Sequence, residues 1–218
     1  MKNSLISETR DDCRFCTISN KISRRPFDHV ISESKNYFAI ASLGGFVNGW
    51  TLICTKDHRL NLREDYRSPE FKDFTQRVAD TVGKVFGKSV FFEHGANLAG
   101  SATGCGTEHA HLHVVPYSHD FVEDTQRFDL TKSWSKSLLN VDEGEEYLLM
   151  ANDLTSLFAQ PTWHAVNFAE SQFFRRALAH HTAQVQCYDY RASPGEANAQ
   201  ATAEILSSQM ALTVEVQG

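Results

Sequence analysis

The sequence predicts an α+β fold: a mostly antiparallel sheet with one long helix packed on it, then a partly helical C-terminal extension. Three observations carry this. Short apolar runs bounded by turn residues recur between positions 29 and 116. A helical period stands among them at Phe71, Phe74, Val78, Val82 and Val85. Beyond Tyr117 the strand pattern weakens, and an Ala-rich stretch takes over near the end. Strands punctuated by a single long helix imply a helix covering one face of the sheet.

Residues 1–12 are polar, and fraying is expected there. Arg24-Arg25-Pro26 reads as a turn. Residues 29–32 and 37–41 read as strands separated by the polar stretch 33–36, and 50–55 as a third, after the glycine-containing loop 43–49. Ser68 and Pro69 suit the N-cap and first position of a helix. Lys84 suits its last turn and Gly87 a left-handed cap. Residues 90–93 form the next strand and 95–106 a Gly-rich loop, while 109–115 alternate and are closed by Pro116. Residues 118–143 read as loop, 146–151 as strand, 170–180 as helix and 196–211 as helix after the Ser193-Pro194-Gly195 break. There is no internal repeat.

The 218 residues suit one domain with a substantial extension, divided here as 12–120 and 121–218. With 41% hydrophobic and 22% charged residues, the chain is a globular rather than a disordered polymer. No apolar run reaches the ~18–20 residues of a membrane span, and the N-terminus lacks the apolar core of a secretory signal. A cytoplasmic protein that uses no membrane is expected. The net charge of −6 gives no broad basic footprint, so nucleic acid is not expected as a partner. Five cysteines, an odd number, argue against a secreted disulfide framework. Cys13 and Cys16 form a Cys-x-x-Cys, and without an apolar strand before them a metal site is favoured over a redox dithiol.

Three of the ten histidines fall within His109-Ala110-His111-Leu112-His113. Side chains alternate along a strand, so the histidines share one face, about 6.5–7 Å apart, and Ala110, Leu112 and Val114 share the other. Three aligned imidazoles add nothing to packing, which points to function. Two chemistries can use them: metal chelation, or nucleophilic attack by a neutral imidazole on phosphorus. The glycines at 95, 100, 104 and 106 allow backbone N–H groups to approach a phosphate.

The stretch from His109 to Val115 resembles the signature of the histidine triad (HIT) superfamily, His-φ-His-φ-His-φ-φ with φ hydrophobic, and matches it at every position. The order of the other motifs is similar too: Cys-x-x-Cys, paired strands, Lys56-Asp57-His58, helix, Gly-rich loop, triad. The resemblance covers roughly residues 12–120. It implies a HIT-like fold with a structural zinc held by Cys13, Cys16, His58 and His109. It also implies a nucleotide substrate attacked at its α-phosphate by His111, a nucleotidyl-histidine intermediate, and His113 against the phosphate. Transferase branches carry Gln at the third triad position, so His113 favours hydrolysis of a nucleoside phosphoramidate or dinucleoside polyphosphate. The alternatives are a nucleotide-binding module with little turnover and a phosphorylase-like nucleotidyltransferase.

The resemblance further places Ser42 at the ribose, where related proteins carry an acidic residue, with Leu43 beside it as a candidate substrate contact. Gly106 and Thr107 stand where a Ser or Thr assists the leaving group, and His94 is a candidate phosphate contact. In the extension, Gln172-Phe173-Phe174-Arg175-Arg176 is similar to a stretch in long-chain HIT-like proteins, which makes Gln172 and Arg175 candidate substrate contacts. A homodimer through the helix and an edge strand is implied by the same analogy.

Overall fold

A computed structural model describes residues 12–104, 107–168 and 170–215. The first eleven positions, expected to be frayed, lie outside these, as does Gly106. Eight strands make one sheet: β1 (Val30–Glu33), β2 (Tyr37–Ala41), β3 (Thr51–Thr55), β4 (Ser89–Gly95), β5 (His111–Pro116), β6 (Ser135–Lys136), β7 (Glu146–Ala151) and β8 (Thr162–Val166). Their spatial order is β1-β2-β3-β5-β4-β7-β8-β6, and every described pair is antiparallel. The α+β class read from the sequence is the class observed.

The sheet has two apolar faces. On one, Ala39, Ile53, Phe91, Leu112 and Leu149 pack against α2 (Pro69–Phe86) and α6 (Glu196–Glu215). Helix α2 starts as its residues dictate: Ser68 Oγ accepts the Phe71 N–H at 3.3 Å, and Pro69 fills the first turn. Phe71, Phe74, Val78 and Val82 are at most 1% exposed, and each large side chain so buried contributes about 2 kcal/mol. The expected stripe ends one position late. Val85 turns to solvent, and Phe86, four residues after Val82, packs on the core instead. Gly87 takes a φ of +93° with ψ of −173°, a conformation that suits glycine.

The opposite face carries Phe38, Leu52, Phe92 and Met150. It is covered by α1 (Arg14–Ser19), α3 (Phe121–Phe128) and α5 (Phe173–His181), while α4 (Leu154–Ala159) lies beside the first face through Leu157. The sheet is therefore covered on both sides rather than by one helix. The loop expected over 118–143 contains α3, which is capped by Asp120 through the Glu123 N–H. Strands from both halves of the chain share the sheet: β7 pairs with β4 from Phe91↔Ala151 to Gly95↔Tyr147. The outer edge of β4 is thus filled from within the chain, and a second copy cannot pair there.

Glu93 anchors this junction. It is 1% exposed and accepts from Leu62 N (2.7 Å), Tyr66 Oη (2.7 Å) and Tyr147 Oη (2.8 Å). Burial pushes its carboxyl from 4.5 up to about 7, against the pull of these donors. A carboxyl raised on folding binds its proton more tightly in the native state, so stability falls as pH rises from 4.5 through about 7 and is flat beyond. Glu93→Gln removes this slope. Between about pH 4 and about pH 8 the variant should gain about 3 kcal/mol on the wild type. Urea unfolding of both proteins across that range measures it, and a pH-independent difference would contradict the assignment.

Candidate functional site

Cys13 is the residue before α1, and one helical turn brings Cys16 to the same side. His58 follows β3 and His109 precedes β5. The donor atoms of these four residues lie within 4.8 Å of one another, so they could hold a metal ion. Cys13 Sγ is 3.4 Å from His109 Nδ1, and Cys16 Sγ is 3.3 Å from His58 Nδ1 and 3.7 Å from His109 Nδ1. The Nε2–H of His109 donates to Thr55 O at 2.7 Å, which places its proton away from the cluster and turns the Nδ1 lone pair toward it. His109 is itself outside the ladder, since β5 begins at His111.

On the same face of the sheet a cavity of about 410 Å³ opens between α1 and the loop after β2. His111, His113 and His94 form part of its wall. Their hydrogen bonds assign their protons. The Nδ1–H of His111 donates to His109 O at 2.7 Å, which leaves an Nε2 lone pair. His113 Nδ1 accepts the indole N–H of Trp50 at 3.0 Å, so its own proton sits on Nε2. His94 Nε2 accepts from Phe174 N at 3.4 Å, which leaves its proton on Nδ1. The His111 and His113 rings are 4.7 Å apart, and Phe92 stacks on His113 at 4.3 Å. Burial lowers all three basicities. His94 is pushed down to about 3, with the charges of His111 and Arg175 adding to the effect, and His113 falls well below 6.5. His111 is lowered too, against the opposing pull of the His109 carbonyl. All three are therefore neutral near pH 7.

The extension supplies another wall. Arg175, 4% exposed, donates from Nε to Tyr188 O at 2.7 Å and from Nη2 to Gly44 O at 2.5 Å. Its guanidinium lies 4.8 Å from the Trp50 ring. Gly44 N donates to Pro194 O, and Asn198 Nδ2 donates to Gly45 O at 2.6 Å. The loop after β2 is thereby clasped by residues 188–198. Gly44 holds this contact with a φ of +75°, and a Cβ there would stand 2.3 Å from Tyr190 Cβ. Gly44→Ala is expected to cost about 2 kcal/mol through strain and overpacking, read as a lowered unfolding midpoint. An unchanged midpoint would show that the clasp is loose.

Ser42, Leu43, Thr107 and Arg175, named from the sequence as candidate substrate contacts, line the cavity. Gln172 does not stand there among the described residues. Its Nε2 donates to Asp189 Oδ1 and its Oε1 accepts from Tyr190 N, both at 3.3 Å, so it braces the wall from behind. Asp12, Arg14, Phe15, Leu52 and Tyr190 also line the cavity without having been singled out, and Trp50 orients His113. Trp50 and Leu52 had a signal, because alternation along β3 puts them on the face of Cys54, which pairs with His111.

No protein-family model matches the sequence, and no curated protein matches it. Among solved structures, the chain is similar to a hypothetical histidine triad nucleotide-binding protein from Sulfolobus tokodaii, at 21% identity and a TM-score of 0.40 over 50% of this chain and 71% of that one. A Hit-like protein involved in cell-cycle regulation from Bartonella henselae matches at 19% and 0.41, over 52% and 82%. A HIT family hydrolase from Clostridium thermocellum matches at 20% and 0.39, over 51% and 96%. Among the described residues, no helix is long and apolar enough to cross a membrane.

Proposed function

We propose that this protein is a nucleotide hydrolase of the histidine triad kind, cleaving at the α-phosphate of a nucleoside phosphoramidate or dinucleoside polyphosphate. The observation that carries this reading is the opposite placement of protons on two adjacent, neutral histidines. His111 offers a lone pair on Nε2, and His113 offers an N–H on Nε2. In the first step His111 Nε2 attacks phosphorus, a P–N bond forms and the leaving group departs with the electrons of its bond. Water then attacks the same phosphorus, the P–N bond breaks and the nucleoside monophosphate leaves. The N–H groups of His113 and His94 stabilise the phosphoryl oxygens with neutral donors fixed beforehand. Residues 12–120 carry this chemistry, and Arg175 and Tyr190 of the extension line the cleft beside it.

The metal in this reading is a structural zinc on Cys13, Cys16, His58 and His109. Zinc bonds of ~2.3 Å to sulfur and ~2.0 Å to nitrogen imply S···N edges of about 3.5 Å in a tetrahedron. The three S···N distances of 3.3, 3.4 and 3.7 Å fit those edges. Four protein ligands fill such a site, so zinc would supply cross-linking rather than reactivity. The protein is placed in the cytoplasm by the same reading.

The test is intact-protein mass spectrometry after acid-free quenching with adenosine phosphoramidate or a dinucleoside polyphosphate, with chromatography of the products. A nucleotidyl adduct and released monophosphate are expected. Neither adduct nor product from any of several substrates would leave a binding module in place of a hydrolase.

A further inference from the structure

The cleft is lined by two unlike sets of residues. Its lining includes Arg175 and Tyr190 from the extension, and Asp12 and Arg14 beside Phe15 at the start of α1. The apolar lining, Phe15, Leu43 and Leu52, suits the flat faces of a base better than a phosphate. Arg14 is held rigidly there. Its Nε and Nη2 both donate to Asp28 Oδ1, at 2.8 and 2.5 Å, and Asp28 Oδ2 accepts from Ser23 Oγ at 2.6 Å. The guanidinium carbon lies 5.5 Å from the Phe15 ring centre and 5.9 Å from that of Phe27. One edge of the guanidinium is thus committed. The opposite edge, Nη1, has no acceptor among the described residues, and the side chain keeps 23% of its exposure. Asp12 is exposed on the same stretch of lining.

We propose that Asp12 and Arg14 read the edge of the base and select a guanine nucleotide. This rests on the reading of the cleft as a nucleotide site and adds the base to it. Guanine presents O6 and N7 as adjacent acceptors, which match a guanidinium fork, and its N1–H and N2–H groups match a carboxylate. Adenine presents an N6–H donor where guanine has O6, which faces Arg14 with a like partner. Asp28 keeps the fork in place before the ligand arrives, so little ordering is left for binding to impose.

Calorimetric titration of the purified protein with GMP, AMP and ribose 5-phosphate tests the assignment. GMP should bind about tenfold or more tightly than AMP, the discrimination of one bidentate base contact. Arg14→Lys keeps the charge against Asp28 but not the planar fork. It should bring GMP close to AMP while leaving ribose 5-phosphate unchanged, and Asp12→Asn should reduce the preference in the same direction. Equal binding of GMP and AMP by the wild type would overturn the base choice alone. So would an equal loss for all three ligands in Arg14→Lys, which would put Arg14 on the phosphate. Failure of all three ligands to bind the wild type would remove the nucleotide reading together with the base choice.

Discussion

His111→Asn should abolish turnover, by about 10⁴-fold or more, while the protein stays folded. The size follows from the role: a covalent route loses its whole first step when the attacking atom is gone, and what remains is binding and positioning. The fold should survive because His111 stands at the start of β5, is only half-buried, and spends its one assigned hydrogen bond on the nearby His109 carbonyl. The control is His113→Asn. That residue is 6% exposed, stacked on Phe92 and bonded to Trp50, so its replacement should lower the unfolding midpoint as well as the rate. Steady-state rates, adduct mass spectrometry and thermal unfolding of both variants separate the two effects. Turnover within tenfold of wild type in His111→Asn would remove His111 as nucleophile.

Stripping the proposed zinc from Cys13, Cys16, His58 and His109 should cost stability before it costs chemistry. A ligand bound only by the native state stabilises it by RT ln(1 + [L]/Kd), about 4 kcal/mol at a thousandfold excess over Kd. For a chain of this length that corresponds to roughly 10 °C in midpoint. The loss should fall first on α1, which has six residues, lacks a side-chain cap and has a cysteine at each end of its first turn. Isolated helices this short do not hold themselves together. Chelation, or Cys16→Ser, should therefore lower the unfolding midpoint, and activity should be lost as the protein loosens. Phe15 on α1 touches the rings of both His109 and His111, which is the route by which loosening reaches the cleft. Activity lost on chelation at an unchanged midpoint would mean that the metal takes part in the reaction.

The elements with strong local signals were legible: the strands at 37–41 and 146–151, the start of α2 with its Ser68 cap, and the Ala-rich terminal helix. Helix α3 was missed although Asp120 and Glu123 stand at capping spacing, because the polar residues around them mask its short apolar face. Helices α1 and α4 are too short for periodicity to show. The alternation puts the start of the triad strand two residues early. His109 and Ala110 alternate like strand residues, yet Ala110 N bonds Arg59 O at 2.6 Å and His109 turns to the cysteines. Which side chains meet at the cleft depended on long-range pairing. Nothing local brings Arg175 to Gly44 or Trp50 to His113, and a one-residue slip of β3 would have turned Trp50 to the other face.

The continuous sheet also decides how the molecule comes apart. Every residue of β4 is buried, and its outer edge is covered by β7, a strand from beyond residue 120. A chain ending near 120 would present a bare row of amides and carbonyls flanked by Phe92 and Phe91, a template for sticking to its own kind. Because β7 pairs with β4, the extension and the histidine-bearing half are expected to unfold together. On that expectation the second half of the chain serves as a guard against self-association as much as a wall of the cleft.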